Sequence, residues 1–132
     1  MNNKAPSAVF VYGTLKRGQI REKCWPCKPV SVLAARTKGR LHDLGDYPAM
    51  TQGDDCVLGE VWRFRSEDMT DVLSVLDEIE GFYDRPDDLY KRQVVNCEYC
   101  NGETIQAYTY RYARELREHQ RIPAAANGCQ WP

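Results

Sequence analysis

The chain has 132 residues, 42% hydrophobic and 28% charged, with 18 Lys and Arg against 19 Asp and Glu. That length suits one domain around a single core, and that balance belongs to a soluble globular protein, not a disordered one. A formal net charge of -1 with no basic tail leaves no footprint for nucleic acid, and no apolar run reaches the roughly 20 residues that span a bilayer. The N-terminal MNNKAPSAVFVYG has too short an apolar stretch for a signal peptide, so the expected compartment is the cytoplasm. Six cysteines then read as thiols or metal ligands more readily than as disulfides.

In chain order, residues 1–7 are polar. Ala8 to Tyr12 (AVFVY) is a continuous apolar run, the pattern of a strand buried on both faces. It stops at Gly13. Residues 16–30 lack periodicity and read as loop and turn. A second β region is expected over about 31–44 with Gly39 interrupting it, then a turn at LGDYPAM, then a strand over 57–64. Residues 66–80 form the one convincing helix. Two further strands, 89–99 and 103–112, flank CNGE, whose Asn-Gly pair signals a hairpin. The expected architecture is a single α+β domain with a core over about 8–113 and a C-terminal tail over about 114–132. His42 and His119 have no visible metal or triad setting and read as ordinary strand or surface residues.

The helix carries an unusual acid. Ser66 is suited to capping its start, and Gly81 stands just past its end. Met69, Val72, Leu73, Leu76 and Ile79 form one apolar stripe. At about 100° per residue, Glu80 projects at the middle of that stripe, Glu78 faces nearly opposite, and Asp77 lies on the flank. A carboxylate aimed at the core must be hydrogen-bonded, paired, or protonated with a raised pKa. A raised pKa suits a general acid/base near neutrality. Alternatively the last turn frays and Glu80 bonds backbone or an arginine such as Arg85 or Arg92.

VYGTLKRG, residues 11–18, is the second informative stretch. A buried strand ending at glycine lets backbone approach a ligand, and the amides of Gly13, Thr14 and Leu15 could converge on an anion. The other reading is an ordinary turn. VFVYGTLKRGQ (9–19), GRLHDLGDYPAM (39–50), LGEVWRF (58–64), LDEIEGF (76–82), YKR (90–92) and AYTY (107–110) together resemble, in order and spacing, the γ-glutamylcyclotransferase-like superfamily. They look closest to its γ-glutamylamine cyclotransferase branch. The resemblance implies a small mixed β-barrel with flanking helices. It also implies an enzyme that releases an amine from a small γ-glutamyl substrate by cyclising the glutamyl part to 5-oxoproline, without a cofactor. The catalytic glutamate of that pattern falls on Glu80. The glutamyl cradle falls on Tyr12, Gly13, Thr14 and Leu15, and pocket-bordering aromatics fall on Tyr90 and Tyr110.

Two features depart from the pattern. An Asn common after KRG is missing, and Arg21 and Glu22 occupy that region. Cys24-Trp-Pro-Cys27 and Cys97-Glu-Tyr-Cys100 are two CxxC pairs. Four such thiolates brought together by the fold would make a structural zinc site; otherwise they are buried, reduced cysteines. A redox dithiol at CWPC fits poorly, because that motif should open a helix straight from its strand. The rival to the enzyme is a non-catalytic binding or regulatory module of the same fold, stapled by zinc. The oligomeric state is not legible.

Overall fold

A computed structural model describes residues 5–114, 116, 120–123 and 128–131. Strands β1 (Ala8–Val11), β2 (Ser31–Asp43), β3 (Pro48–Arg63), β4 (Tyr90–Tyr99) and β5 (Thr104–Tyr112) accompany helix α1 (Met69–Glu80). The strands close into a barrel in the order β1-β3-β2-β4-β5. All neighbours are antiparallel except β1 and β5, which meet in parallel at Val9 and Tyr108. The mixed barrel expected of the resemblance is therefore the observed fold.

Alternation along β1 sets the layout. Ala8 and Phe10, with Tyr12 beyond, face the barrel interior beside Leu41, Met50, Val57, Val61 and Ala107. Val9 and Val11 face outward, under the Met69, Val72 and Leu76 side of α1. The strand is buried on both faces, as its unbroken apolar run predicts, because barrel and helix each cover one side.

Several expectations need correction. β2 and β3 form one long hairpin, with a register shift between Gly39 and Arg40. β3 begins at Pro48, well before the expected Val57, so the polar TQGDDC stretch is strand; the ladder to β2 overrides its weak β propensity. Ser66 opens a 3-10 turn, Ser66–Asp68, and makes no side-chain cap. Gly81 closes α1 in the left-handed region, at φ 67°. The CNGE turn is present, with Gly102 at φ 87° and the Tyr99 amide donating to the Glu103 carbonyl at 2.8 Å.

Described residues of the segment read as a tail, Ile122, Cys129 and Trp131, pack in the core. The Ile122 amide donates to the Leu41 carbonyl at 2.7 Å, and Cys129 exchanges backbone hydrogen bonds with Cys56 and Leu58. Cys129 and Trp131 are buried in the barrel interior. The Trp131 indole donates to Asp43 at 3.2 Å, and the buried Lys16 ammonium donates to the Trp131 carbonyl at 3.3 Å. His42 is buried on β2, with Nε2 3.2 Å from the Thr51 hydroxyl; His119 lies outside the described residues.

Trp131→Ala should therefore lower unfolding stability by about 3–5 kcal/mol, the range for emptying a buried indole site. Urea denaturation measures this, and an unchanged midpoint would show that the segment contributes nothing to the core.

Candidate active site

The first strand runs out at Gly13, and the chain turns sharply there. The Lys16 amide donates to the Gly13 carbonyl at 3.1 Å and the Arg21 amide to the Thr14 carbonyl at 2.8 Å. The amides of Gly13, Thr14 and Leu15 donate to no partner among the turn and loop hydrogen bonds of the described residues. Glycine is required at position 13 because a Cβ would lie 2.5 Å from Pro48 Cγ. Trp25, the residue inside the first CxxC, holds the far side of this loop. Its indole donates to the Leu15 carbonyl at 3.0 Å and stacks on Trp62 at 4.4 Å between centroids.

Across from the turn stands the end of α1. The apolar stripe is buried where the periodicity puts it: Met69, Val72 and Leu76 fully, Leu73 and Ile79 in part. Glu80 follows on the same side and lines a cavity of about 500 Å³. Glu78 is exposed. Asp77 ties the helix to the barrel, accepting from Arg92 at 2.5 Å and from the Tyr110 hydroxyl at 2.6 Å. Its carbonyl also accepts the Phe82 amide at 2.8 Å, closing the helix end.

The structure brings Tyr12, Gly13, Thr14, Leu15, Glu80, Tyr90 and Tyr110 into the wall of this one cavity. The three phenols are committed elsewhere. Tyr12 donates to the Tyr110 carbonyl at 2.5 Å, Tyr90 to the Pro48 carbonyl at 3.0 Å, and Tyr110 to Asp77. Burial above all pushes all three pKa values up, so they stay protonated and frame the cavity. Glu80 is the group poised to titrate. Burial raises its pKa to about 7, against a smaller opposing pull from the Arg21 cation. It does not fray outward to Arg85 or Arg92: the latter is bound to Asp77.

The four cysteines proposed as zinc ligands do not meet. Cys24 and Cys27 pack on the helix side of the barrel, Cys97 points into the barrel interior, and Cys100 is exposed in the hairpin turn. Strand alternation turns Cys97 inward, while the 22–27 loop lies outside the sheet. Among the described residues no group of three or more His, Cys, Asp or Glu is placed to hold a metal ion. Sequence reasoning missed Pro48 and Tyr47 as cavity wall, and it read past Trp25 to the thiols on either side. An aromatic in a loop without periodicity was the available signal.

A small mixed barrel with a cavity between the end of its first strand and the end of its helix defines a structural class. Within it, the γ-glutamyl cyclotransferase, AIG2-like family model matches residues 9–131, and the chain belongs to that family. Among solved structures, an AIG2-like protein from Mus musculus is 23% identical with a TM-score of 0.66, covering 92% of this chain and 87% of that one. A protein from Arabidopsis thaliana is 21% identical with a TM-score of 0.65, covering 90% and 76%. A γ-glutamyl cyclotransferase is 18% identical with a TM-score of 0.57, covering 90% and 72%. At these identities the likeness is one of fold. No curated protein matches the chain by sequence.

A buried carboxyl with a raised pKa costs stability where it must ionise. The folded state binds its proton up to about pH 7, and the unfolded chain releases it near 4.5. Stability is thus lost as pH rises from about 4.5 through 7. Relative to wild type, Glu80→Gln should gain on the order of 3 kcal/mol between pH 4.5 and pH 8 at most, measured by urea denaturation at both pH values. A difference that does not change with pH would show that Glu80 ionises as it does in water.

Proposed function

We propose that this protein is a cyclotransferase that acts on a small γ-glutamyl compound, releasing its amine and forming 5-oxoproline. The observation that carries this reading is Glu80: a mostly buried carboxyl with a pKa near 7, in one cavity with the Gly13–Leu15 turn, whose amides have no partner among the turn and loop hydrogen bonds of the described residues. Membership of a γ-glutamyl cyclotransferase family supports it. Cytoplasmic residence is part of the proposal, supported by six free thiols. No helix among the described residues is long and apolar enough to cross a membrane.

The chemistry follows from the parts. Ionised Glu80 accepts a proton from the substrate's α-ammonium. The freed amine attacks its own γ-carbonyl, and a five-membered ring makes that attack intramolecular, so positioning supplies much of the rate. Turn amides stabilise the developing oxyanion. Glu80 then returns the proton to the departing amine as the γ C–N bond breaks. One C–N bond forms and one breaks. The ring nitrogen passes from ammonium to amide and so gives up two protons. One is carried to the departing nitrogen by Glu80, the second is taken by the released amine, which leaves as an ammonium, and the route consumes no cofactor.

Glu80→Gln should lower 5-oxoproline release roughly 10²–10⁴-fold, the usual share of a general acid/base, while the protein stays folded. Release from a panel of γ-glutamyl amines, γ-glutamyl-ε-lysine, γ-glutamyl dipeptides and glutathione, followed by chromatography, checks this. Turnover equal to wild type would remove Glu80 from the mechanism. Release from no member of the panel would favour a binding module. Because Glu80 must be ionised to take the first proton, kcat/KM should climb as pH rises through about 7 and level off above it. A profile flat from pH 5 to 8 would contradict the assignment.

A further inference from the structure

We infer that Glu60 is a positioning residue for the site: one carboxylate on β3 clamps the end of the Gly13–Leu15 turn from two sides and so fixes where the turn amides point, without touching substrate. The reaction it serves rests on the cyclotransferase reading. The residue itself lies outside the cavity wall.

Glu60 pairs with Val11, the last residue of β1, so its side chain emerges beside the turn. That side chain is 16% exposed. Its Oε1 accepts the Arg17 amide at 2.8 Å and the Trp62 indole at 3.2 Å. Trp62 stands two residues along the same strand and therefore on the same face. Its ring lies against Trp25 at 4.4 Å, with 11° between the planes, and Phe64, next on that face, backs Trp25 at 5.3 Å. The Trp25 indole donates to the Leu15 carbonyl at 3.0 Å. Glu60 thus reaches the turn twice, directly at Arg17 and through two indoles at Leu15. The Arg17 guanidinium also approaches Oε2, at 3.4 Å, but it is 56% exposed, and a pair so open to water adds little.

Peptide geometry shows what the clamp controls. A trans peptide unit points its N–H opposite to its C=O. The Gly13 and Thr14 carbonyls are tied by the Lys16 and Arg21 amides, which aims the Thr14 and Leu15 amides the other way. The Lys16 amide shares its peptide plane with the Leu15 carbonyl, the group that Trp25 holds. The Arg17 amide, held by Glu60, belongs to the following plane. Two successive planes are therefore pinned to β3, and the tie to Gly13 depends on the first of them. Donors fixed before substrate arrives are the ones that stabilise a developing oxyanion.

The test measures kcat on the most active γ-glutamyl compound for wild type, Glu60→Ala, Glu60→Gln and Trp25→Phe. Glu60→Ala should lower kcat roughly 10- to 100-fold, the scale of a misplaced catalytic group. Glu60→Gln keeps an oxygen acceptor for both N–H groups while removing the charge, and should stay within about 3-fold of wild type. Trp25→Phe keeps a ring in the stack and loses one hydrogen bond, and should lower kcat roughly 2- to 10-fold. A glutamate that served stability alone would leave kcat per folded molecule unchanged. Wild-type kcat in Glu60→Ala or Trp25→Phe, or a Glu60→Gln variant as impaired as Glu60→Ala, overturns the inference. Amide NMR judges the clamp apart from the reaction. The Gly13, Thr14 and Leu15 signals should shift or broaden in Glu60→Ala and keep their wild-type positions in Glu60→Gln. If no compound yields 5-oxoproline but the signals behave so, the clamp stands and the cyclotransferase reading falls. Signals unmoved in Glu60→Ala overturn the clamp.

Discussion

Val9 and Val11 pack beneath α1 while Ala8 and Phe10 fill the barrel, so four residues carry the contact between the protein's two cores. Burying each large side chain of this kind contributes about 1.5–3 kcal/mol, and here both sets hang on a single strand. The functional geometry depends on that sandwich. The strand ends in the Gly13–Leu15 turn, and the helix it supports ends at Glu80. The two termini face one cavity because the elements behind them are packed together. Asp77 strengthens the arrangement by joining the helix to β4 through Arg92 and to β5 through Tyr110. The acid one turn before Glu80 is thereby held by an ion pair and a phenol.

Desolvation is the second constraint. The surroundings that fix Glu80 also withhold water from it, and burial is the leading cause of its raised pKa. In water a carboxyl is too weak a base to take a proton from an ammonium group efficiently. A carboxyl titrating near neutrality is better matched to shuttling that proton in both directions. The folded chain accepts a less stable ionised state in return. Arg21 moderates this by favouring the charged form.

Much of this was legible because local pattern and tertiary role agree. β1 reads as doubly buried from five consecutive apolar residues, Ala8 to Tyr12, and helical periodicity alone singles out Glu80 from its neighbours Glu78 and Asp77. Gly81 and Gly102 mark a helix end and a hairpin through their positive φ. The failures have one cause: long-range partners outvoted local composition. TQGDDC is strand because β2 lies beside it. The CxxC spacing suggested zinc, yet spacing along a chain does not say on which side of a sheet each thiol emerges. Cys97 is inside the barrel, its thiol pKa pushed up to about 12 by burial, and the Cys24–Cys27 loop is outside. In that loop Trp25 carries the structure, because an indole can both stack and donate.

The C-terminal segment is the clearest case of a long-range partner, and it bears on the site. Isoleucine, cysteine and tryptophan scattered among polar and small residues show no period, so nothing local marks Ile122, Cys129 and Trp131 as core contacts. Yet Trp131 is bonded to two segments that adjoin the cavity. Its carbonyl accepts the ammonium of Lys16, the residue after the amide turn, and its indole donates to Asp43. The Asp43 carboxylate also accepts the Gly45 amide at 2.9 Å, shaping the turn that delivers Tyr47 and Pro48 to the cavity. Pro48 in turn limits position 13 to glycine and accepts the Tyr90 hydroxyl. The Gly13–Leu15 turn opposite Glu80 is therefore held by residues from the beginning, middle and end of the described chain. Its shape is a property of the closed fold, and the turn sequence by itself could not specify it.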